Sequence, residues 1–178
     1  MFNNTGFGGL EKFHERNWQQ GYGMINLNII ALTALTHFFL ADFVKRNKCK
    51  ILNTSSTASL MPGPLQTVYF ATKAFVTSFS NTIAEELSET SVTVTNLMPD
   101  ATKTKFGQLS GMDKTELFKK TVSVHSVALD RYNVMLKGKL DVVSGLSFGQ
   151  KLMMIFIPLS PKKMVLKQVR NLQEIKKP

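Results

Sequence analysis

The chain has 178 residues, 43% of them hydrophobic, and carries 22 Lys+Arg against 12 Asp+Glu, a formal net charge of +10. That length and apolar content suit one globular domain and exclude a disordered polar chain. A lone cysteine, Cys49, excludes an internal disulfide, and three scattered histidines (His14, His37 and His125) offer no metal-ligand cluster.

Met1-Phe2-Asn3-Asn4 lacks the basic and apolar segments of a signal peptide. Gly6-x-Gly8-Gly9 is glycine-rich, but no strand precedes it, so it fails the context test for a dinucleotide fingerprint. Residues 10–23 are polar and predict a surface turn or short helix in which Trp18 packs. From Met24 to Arg46 apolar residues recur at helical steps (Leu27, Ile30, Leu32, Leu35, Phe39 and Phe43), with Asn28 interrupting the apolar face. Such an asparagine fits a satisfied polar contact and a functional role equally well, and His37 reads as a surface or interface residue. Cys49, between Lys48 and Lys50, reads as a packing or edge residue at the start of a strand.

Ile51-Leu52-Asn53-Thr54-Ser55-Ser56 is a short apolar run ending in hydroxyl residues, as a buried strand would be. Met61-Pro62-Gly63-Pro64 can be neither helix nor central strand. A helix is predicted from Tyr69 to about Leu87, turning Phe75, Val76, Phe79, Ile83 and Leu87 inward. Tyr69 and Lys73, four apart, share one face of it. A cation beside a phenol favours phenolate, so the pair predicts a tyrosine that exchanges a proton nearer neutrality. A surface helix with a snorkelling lysine would show the same pair. Ser56 can aim its hydroxyl at the same point.

Ser91–Met98 is rich in β-branched residues and predicts a strand. Phe106, Met112, Leu117 and Phe118 suggest an apolar lid over the site, though amphipathic packing explains them as well. A helix over Val122–Leu136 and a strand over Leu140–Gly145 follow. Leu152–Leu159 is apolar but too short to span a bilayer. Residues 151–178 hold seven Lys/Arg and one Glu. Such a tail fits either an amphipathic segment on an anionic membrane or a helix covering the sheet edge, while no aromatic platform supports nucleic-acid binding. The expected organisation is a catalytic portion over 1–150 and a basic extension over 151–178.

Ser56 lies thirteen residues before Tyr69, and Lys73 four after it. Asn3-Asn4-Thr5-Gly6, Asn28 and Pro99-x-x-Thr102-x-Thr104 stand in order around that core. Together these motifs resemble the short-chain dehydrogenase/reductase family. The resemblance implies an α/β fold, here a partial Rossmann-type parallel sheet of about three strands with helices on both faces. It also implies NAD(P)(H)-dependent interconversion of a carbonyl and an alcohol. Ser56 would then hydrogen-bond the substrate oxygen and Tyr69 would move the proton. Lys73 would lower the tyrosine pKa and hold the nicotinamide ribose, and Asn28 would position a relay water.

Cofactor contacts would come from Asn3, Asn4, Gly6, Tyr69, Lys73, Pro99, Thr102 and Thr104. The cofactor would be NAD or NADP, with the family leaning to NADP. The resemblance further implies a small-molecule substrate, a homodimer through the helices starting at Met24 and Tyr69, and a cytoplasmic location. The basic tail adds membrane contact as an option. Asp100 stands where the family has glycine, and its carboxylate would crowd the loop or repel a phosphate. Met1-Phe2 match the end of a family strand, so the glycine-rich turn would precede Met1. Two expectations follow: no measurable NAD(P)(H) affinity for this chain alone, and an unpaired edge on the Ile51 strand. The alternative reading is a truncated, inactive fragment or a partner-binding module.

Overall fold

The computed structural model describes residues 1–119 and 121–175, without the side chains of Ser126, Asp130, Met153, Ile155 and Pro158. Lys176, Lys177 and Pro178 of the basic tail thus lie outside the described residues. Strands β1 (Phe2–Asn3), β2 (Cys49–Thr54), β3 (Val92–Pro99) and β4 (Asp141–Ser144) form a parallel sheet in the order β1-β2-β3-β4. Parallel neighbours need long crossovers, and helices supply them. The first crossover is the Trp18–Arg46 helix, the second α3 (Thr67–Glu86) and the third α5 (Val124–Leu136).

The α/β class agrees with the sequence, but the strand count is four. The fourth strand, β1, has only two residues and lies where Met1-Phe2 matched the end of a family strand; it is too short to show as a periodic pattern. It also covers the edge expected to be bare. The Met1 amino group donates to the Lys50 carbonyl at 2.8 Å, and the Leu52 N–H donates to the Met1 carbonyl at 3.0 Å.

Alternation along the strands fills both faces. Ile51 and Val94 pack with Leu87, Leu40, Phe43 and Ile83 on the side of α3 and the first crossover. Leu52 and Leu97 pack with Met135 of α5 on the other. At one level the register aligns Asn3, Asn53, Asn96 and Asp141 across all four strands. Asn3 Nδ2 donates to Asn53 Oδ1 at 2.8 Å, Asn53 Nδ2 to Ser80 Oγ at 2.9 Å, and Asn96 Nδ2 to Asp141 Oδ1 at 2.7 Å. Buried amides are costly unless bonded, so this row fixes the register: a one-residue slip would strand all of them.

The first crossover runs as α1 (Trp18–Ile25), a π-helical turn (Asn26–Ala31) and α2 (Leu32–Arg46). The Asn17 side chain caps its start by accepting the Gln19 N–H at 2.8 Å. Asn47 ends it in the left-handed region, at φ 46°, which asparagine tolerates. Its buried positions are Gly21, Met24, Asn28, Leu32 and Thr36. Ile30, Leu35, Phe38 and Phe39 are exposed, and Trp18, expected to pack, is 62% exposed. Asn28 faces inward with Leu32, on the apolar face where the sequence placed it, and Phe43 packs on the core, while Ile30, Leu35 and Phe39 of the expected stripe turn outward. Apolar residues surround this helix, so periodicity could not choose a face; the partners of Asn28 and Thr36 do. By length and composition this helix is apolar enough to cross a membrane. On α3, Val76 is buried as expected, but Phe75 is exposed and stacks on Phe79 at 5.8 Å.

Candidate active site

The C-terminal ends of β1, β2 and β3 open into a cavity of about 660 Å³. Its floor begins where β2 ends. The Ser55 hydroxyl donates to the Lys73 carbonyl at 2.8 Å and meets Thr77 Oγ1, which locks the strand end to α3. Ser56 is extended, and its hydroxyl accepts the Ala58 N–H at 3.1 Å. The loop from Met61 to Gln66 then sets the entry of α3. Gly63 lies so close to the Phe70 ring that any Cβ would overlap it. Leu65, at φ 69°, takes a left-handed conformation unusual for leucine, and its carbonyl accepts the Glu11 N–H at 2.8 Å.

Tyr69 and Lys73 are both buried on α3, at 7% and 6% exposure. Burial pushes the Tyr69 phenol up to about 12, and the hydrogen bond with Ser56 opposes it only partly. Burial, followed by the charge of Arg131, brings the Lys73 amine down to about 8. The sequence predicted a phenol lowered by its lysine; here burial raises it, and the opposing effect comes from Ser56. The ammonium lies 5.8 Å from the Tyr69 ring centre and donates to the Thr54 carbonyl at 2.8 Å, so its charge is directed at the strand end.

Asn28 sits behind this pair. Its Nδ2 donates to the Phe7 carbonyl at 3.1 Å and to Thr72 Oγ1 at 3.0 Å, while its Oδ1 accepts the Phe7 N–H at 3.3 Å. It thereby clamps the loop after β1 onto α3. A π-turn at Asn28 re-aims that side chain within an otherwise α-helical run. At Gly6 a Cβ would lie 3.0 Å from Asn28 Oδ1 and 3.4 Å from Lys73 Nζ, so the absence of a side chain keeps the three together.

The cavity thus gathers Asn4, Gly6, Ser56, Tyr69, Lys73, Pro99, Thr102 and Thr104, eight of the ten residues singled out in the sequence. Asn28 adjoins it from behind Gly6. Asn3 is not in its lining, because the Asn3 amide is committed to Asn53 and, at 3.4 Å, to Thr36. Asp100 is half-buried in the lining. Burial raises its carboxyl, while the Ala101 N–H and the Thr57 hydroxyl hold it down.

The roof comes from later elements. Phe106 of α4 (Lys105–Ser110), with Met112, Leu117 and Phe118, lines the cavity as the lid reading expected. Phe106 meets the Tyr69 ring at 5.4 Å. Met154 and Phe156 of α6 (Phe148–Phe156) and Met164, Val165 and Val169 of α7 (Lys162–Gln173) complete it. Val165 and Val169 share a core cluster with Tyr69, Phe70 and Met24. The buried Gln66 Nε2 donates to Gln173 Oε1 at 3.0 Å, which ties α7 to the start of α3. The tail therefore covers the cavity, not the sheet edge. Arg131 of α5, missed in the sequence, also lines the cavity. An arginine within an apolar helical stretch was the only signal for it.

A family profile described as short chain dehydrogenase matches residues 1–115. A probable NADP-dependent dehydrogenase of Haemophilus influenzae is 40% identical over 100 residues, covering 56% of this chain and 40% of that protein. The human very-long-chain 3-oxoacyl-CoA reductase is 40% identical over 86 residues, covering 48% of this chain and 28% of its own length. This chain therefore spans less than half the length of either relative. Among solved structures, a short-chain dehydrogenase from Sphingobium yanoikuyae in complex with NADPH superposes with a TM-score of 0.76 at 24% identity. That match covers 86% of this chain and 60% of the other.

Proposed function

The chain belongs to the short-chain dehydrogenase family, and within it we propose that it carries the catalytic portion of an oxidoreductase that interconverts a carbonyl and an alcohol with NAD(P)(H). What carries the reading is a single cavity that holds the buried Tyr69 phenol, its Ser56 partner and the Lys73 ammonium. The residues present fit the nicotinamide end of such a cofactor. Gly6, having no side chain, brings its backbone close to Lys73 in the cavity lining, and Asn4, Thr102 and Thr104 supply polar groups at the strand ends. The cofactor, when bound, supplies the hydride. Ser56 and Tyr69 hold the substrate oxygen between two hydroxyls. With its pKa raised to about 12, the phenol is protonated at neutral pH and can give its proton to the substrate oxygen in the reductive direction. Lys73 orients the ribose, and Asn28 holds the loop after β1 in place. The NADP-dependent dehydrogenase of Haemophilus influenzae and the NADPH complex of the Sphingobium enzyme support NADP as the cofactor.

Residues 1–150 act as the catalytic portion in this proposal, and 151–178 as a basic extension whose described residues 151–175 close over the cavity. The roof of Phe106, Phe118, Phe156 and Met164 suits a substrate with an apolar body beside its carbonyl. The exposed Ile30, Leu35, Phe38, Phe39 and Phe75 support pairing with a second copy. Exposed Phe148 and Leu159, with Lys151, Lys162 and Lys163 also exposed, support contact with an anionic membrane.

The test is Tyr69→Phe in the chain joined to a nucleotide-binding segment supplied from a short-chain dehydrogenase. Turnover of NADPH with an apolar ketone should fall roughly 100-fold or more, with cofactor affinity nearly unchanged. Equal turnover in the variant rules out Tyr69 as the acid.

A further inference from the structure

The described cavity lining contains two cations and one carboxylate: Lys73, Arg131 and Asp100. The carboxylate is engaged by Thr57 at 3.4 Å, in the turn after Pro99. Arg131 reaches from the middle of α5 to the ends of β1 and β2, where its Nη1 donates to Asn4 Oδ1 at 2.8 Å. The same oxygen accepts from the Thr54 hydroxyl at 3.0 Å, and the Thr54 carbonyl accepts from Lys73. Both cations are thus moored to Asn4 and Thr54, which are neutral. The Arg131 Nε is buried and has no hydrogen-bond partner. The guanidinium is half-buried, and its charge acts on Lys73. Two like charges held together this way repel, and an anion between them would turn that cost into attraction.

Open parallel sheets take their ligands at the carboxyl ends of the strands, where these groups converge. We propose that Arg131, with Asn4 and Lys73, forms a phosphate site whose ligand is the phosphate next to the nicotinamide ribose. This rests on the oxidoreductase reading for the identity of the ligand, though not for its anionic character. A planar guanidinium with donors to spare matches two phosphate oxygens. The expectation of no measurable cofactor affinity rested on the glycine-rich turn preceding Met1 and left Asn4, Tyr69, Lys73 and the Pro99 loop to hold the nicotinamide half. Arg131 adds an anion-holding group from an element that sequence reading left out of the site.

Calorimetric titration at low ionic strength compares nicotinamide mononucleotide, inorganic pyrophosphate and coenzyme A on the wild type, Arg131→Gln and Asn4→Asp. The wild type should bind the mononucleotide and pyrophosphate saturably, and both variants should bind them about tenfold more weakly or worse. Asn4→Asp places a carboxylate on the guanidinium and satisfies it from within, so its melting temperature should hold or rise while the anion is lost. If Arg131→Gln does not melt cooperatively, Asn4→Asp decides alone. Undiminished binding in Asn4→Asp overturns the proposal, as does failure of the wild type to saturate. Preference for coenzyme A over the mononucleotide would move the site to the substrate and overturn it too. Turnover enters none of these readouts, so the Tyr69→Phe result stands or falls separately.

Discussion

The floor and the roof of the cavity are built on opposite principles. The floor, from the strand ends and α3, is polar and cross-linked: Asn28, Ser55, Thr72 and Lys73 each bond another element or a loop. The roof, from α4, α6 and α7, is mostly apolar, with Val165 and Val169 against Tyr69 and Phe70 and the Gln66–Gln173 hydrogen bond as a polar tie of α7 to α3. Hydrogen bonds are directional and fix positions; apolar contacts fix volume and tolerate repacking. The floor can therefore hold reacting atoms in place, while the roof can vary with the substrate.

After Tyr69→Phe, the next largest effect should come from Lys73, again in the floor. Its amine is brought from 10.5 down to about 8 by burial and by Arg131. Below pH 8 both folded and unfolded chains hold this proton, and the fold bears the cost of a buried charge. Between about 8 and 10.5 only the unfolded chain keeps the proton, so stability should rise with pH across that window. The gain is on the order of 3 kcal/mol at 1.36 kcal/mol per pKa unit. Lys73→Met should remove the rise, read as denaturant midpoints at pH 7.5 and 9.5. A rise that persists in the variant would assign it to another group.

A smaller effect is expected where floor and roof meet the turn before α3. Gly63→Ala would drive a methyl into the Phe70 ring, costing about 1–3 kcal/mol as overpacking does. Thermal unfolding measures it, and an unchanged melting temperature would mean that Phe70 moves freely aside. In the roof, Val169→Ala removes buried methyl groups beside Tyr69 and should cost about 1–2 kcal/mol. It should raise the KM for an apolar ketone more than it lowers kcat. If kcat falls instead, the roof also positions the reacting atoms, and the division between the two halves fails.

Local chemistry was readable from residue order. Ser56, Tyr69 and Lys73 lie within one strand-loop-helix unit, so their meeting needs only regular strand and helix geometry. The parallel α/β class followed from the family resemblance that the ordered motifs carry, and the lid from Phe106, Met112, Leu117 and Phe118. What depended on distant partners was not readable. The inward face of the Trp18–Arg46 helix was decided by the partners of Asn28 and Thr36, not by periodicity. Asn3 went to the sheet because the register set Asn53 beside it. The Tyr69 phenol rose because α4 and α7 closed over it, a desolvation no spacing along the chain can express. Arg131 joined the site through a contact with Asn4, 127 residues away. Sequence alone determined which groups could do chemistry, because bonding within a segment depends on nearest neighbours. Only the tertiary structure decided how much water and charge surround them, because burial is a property of the whole packed chain.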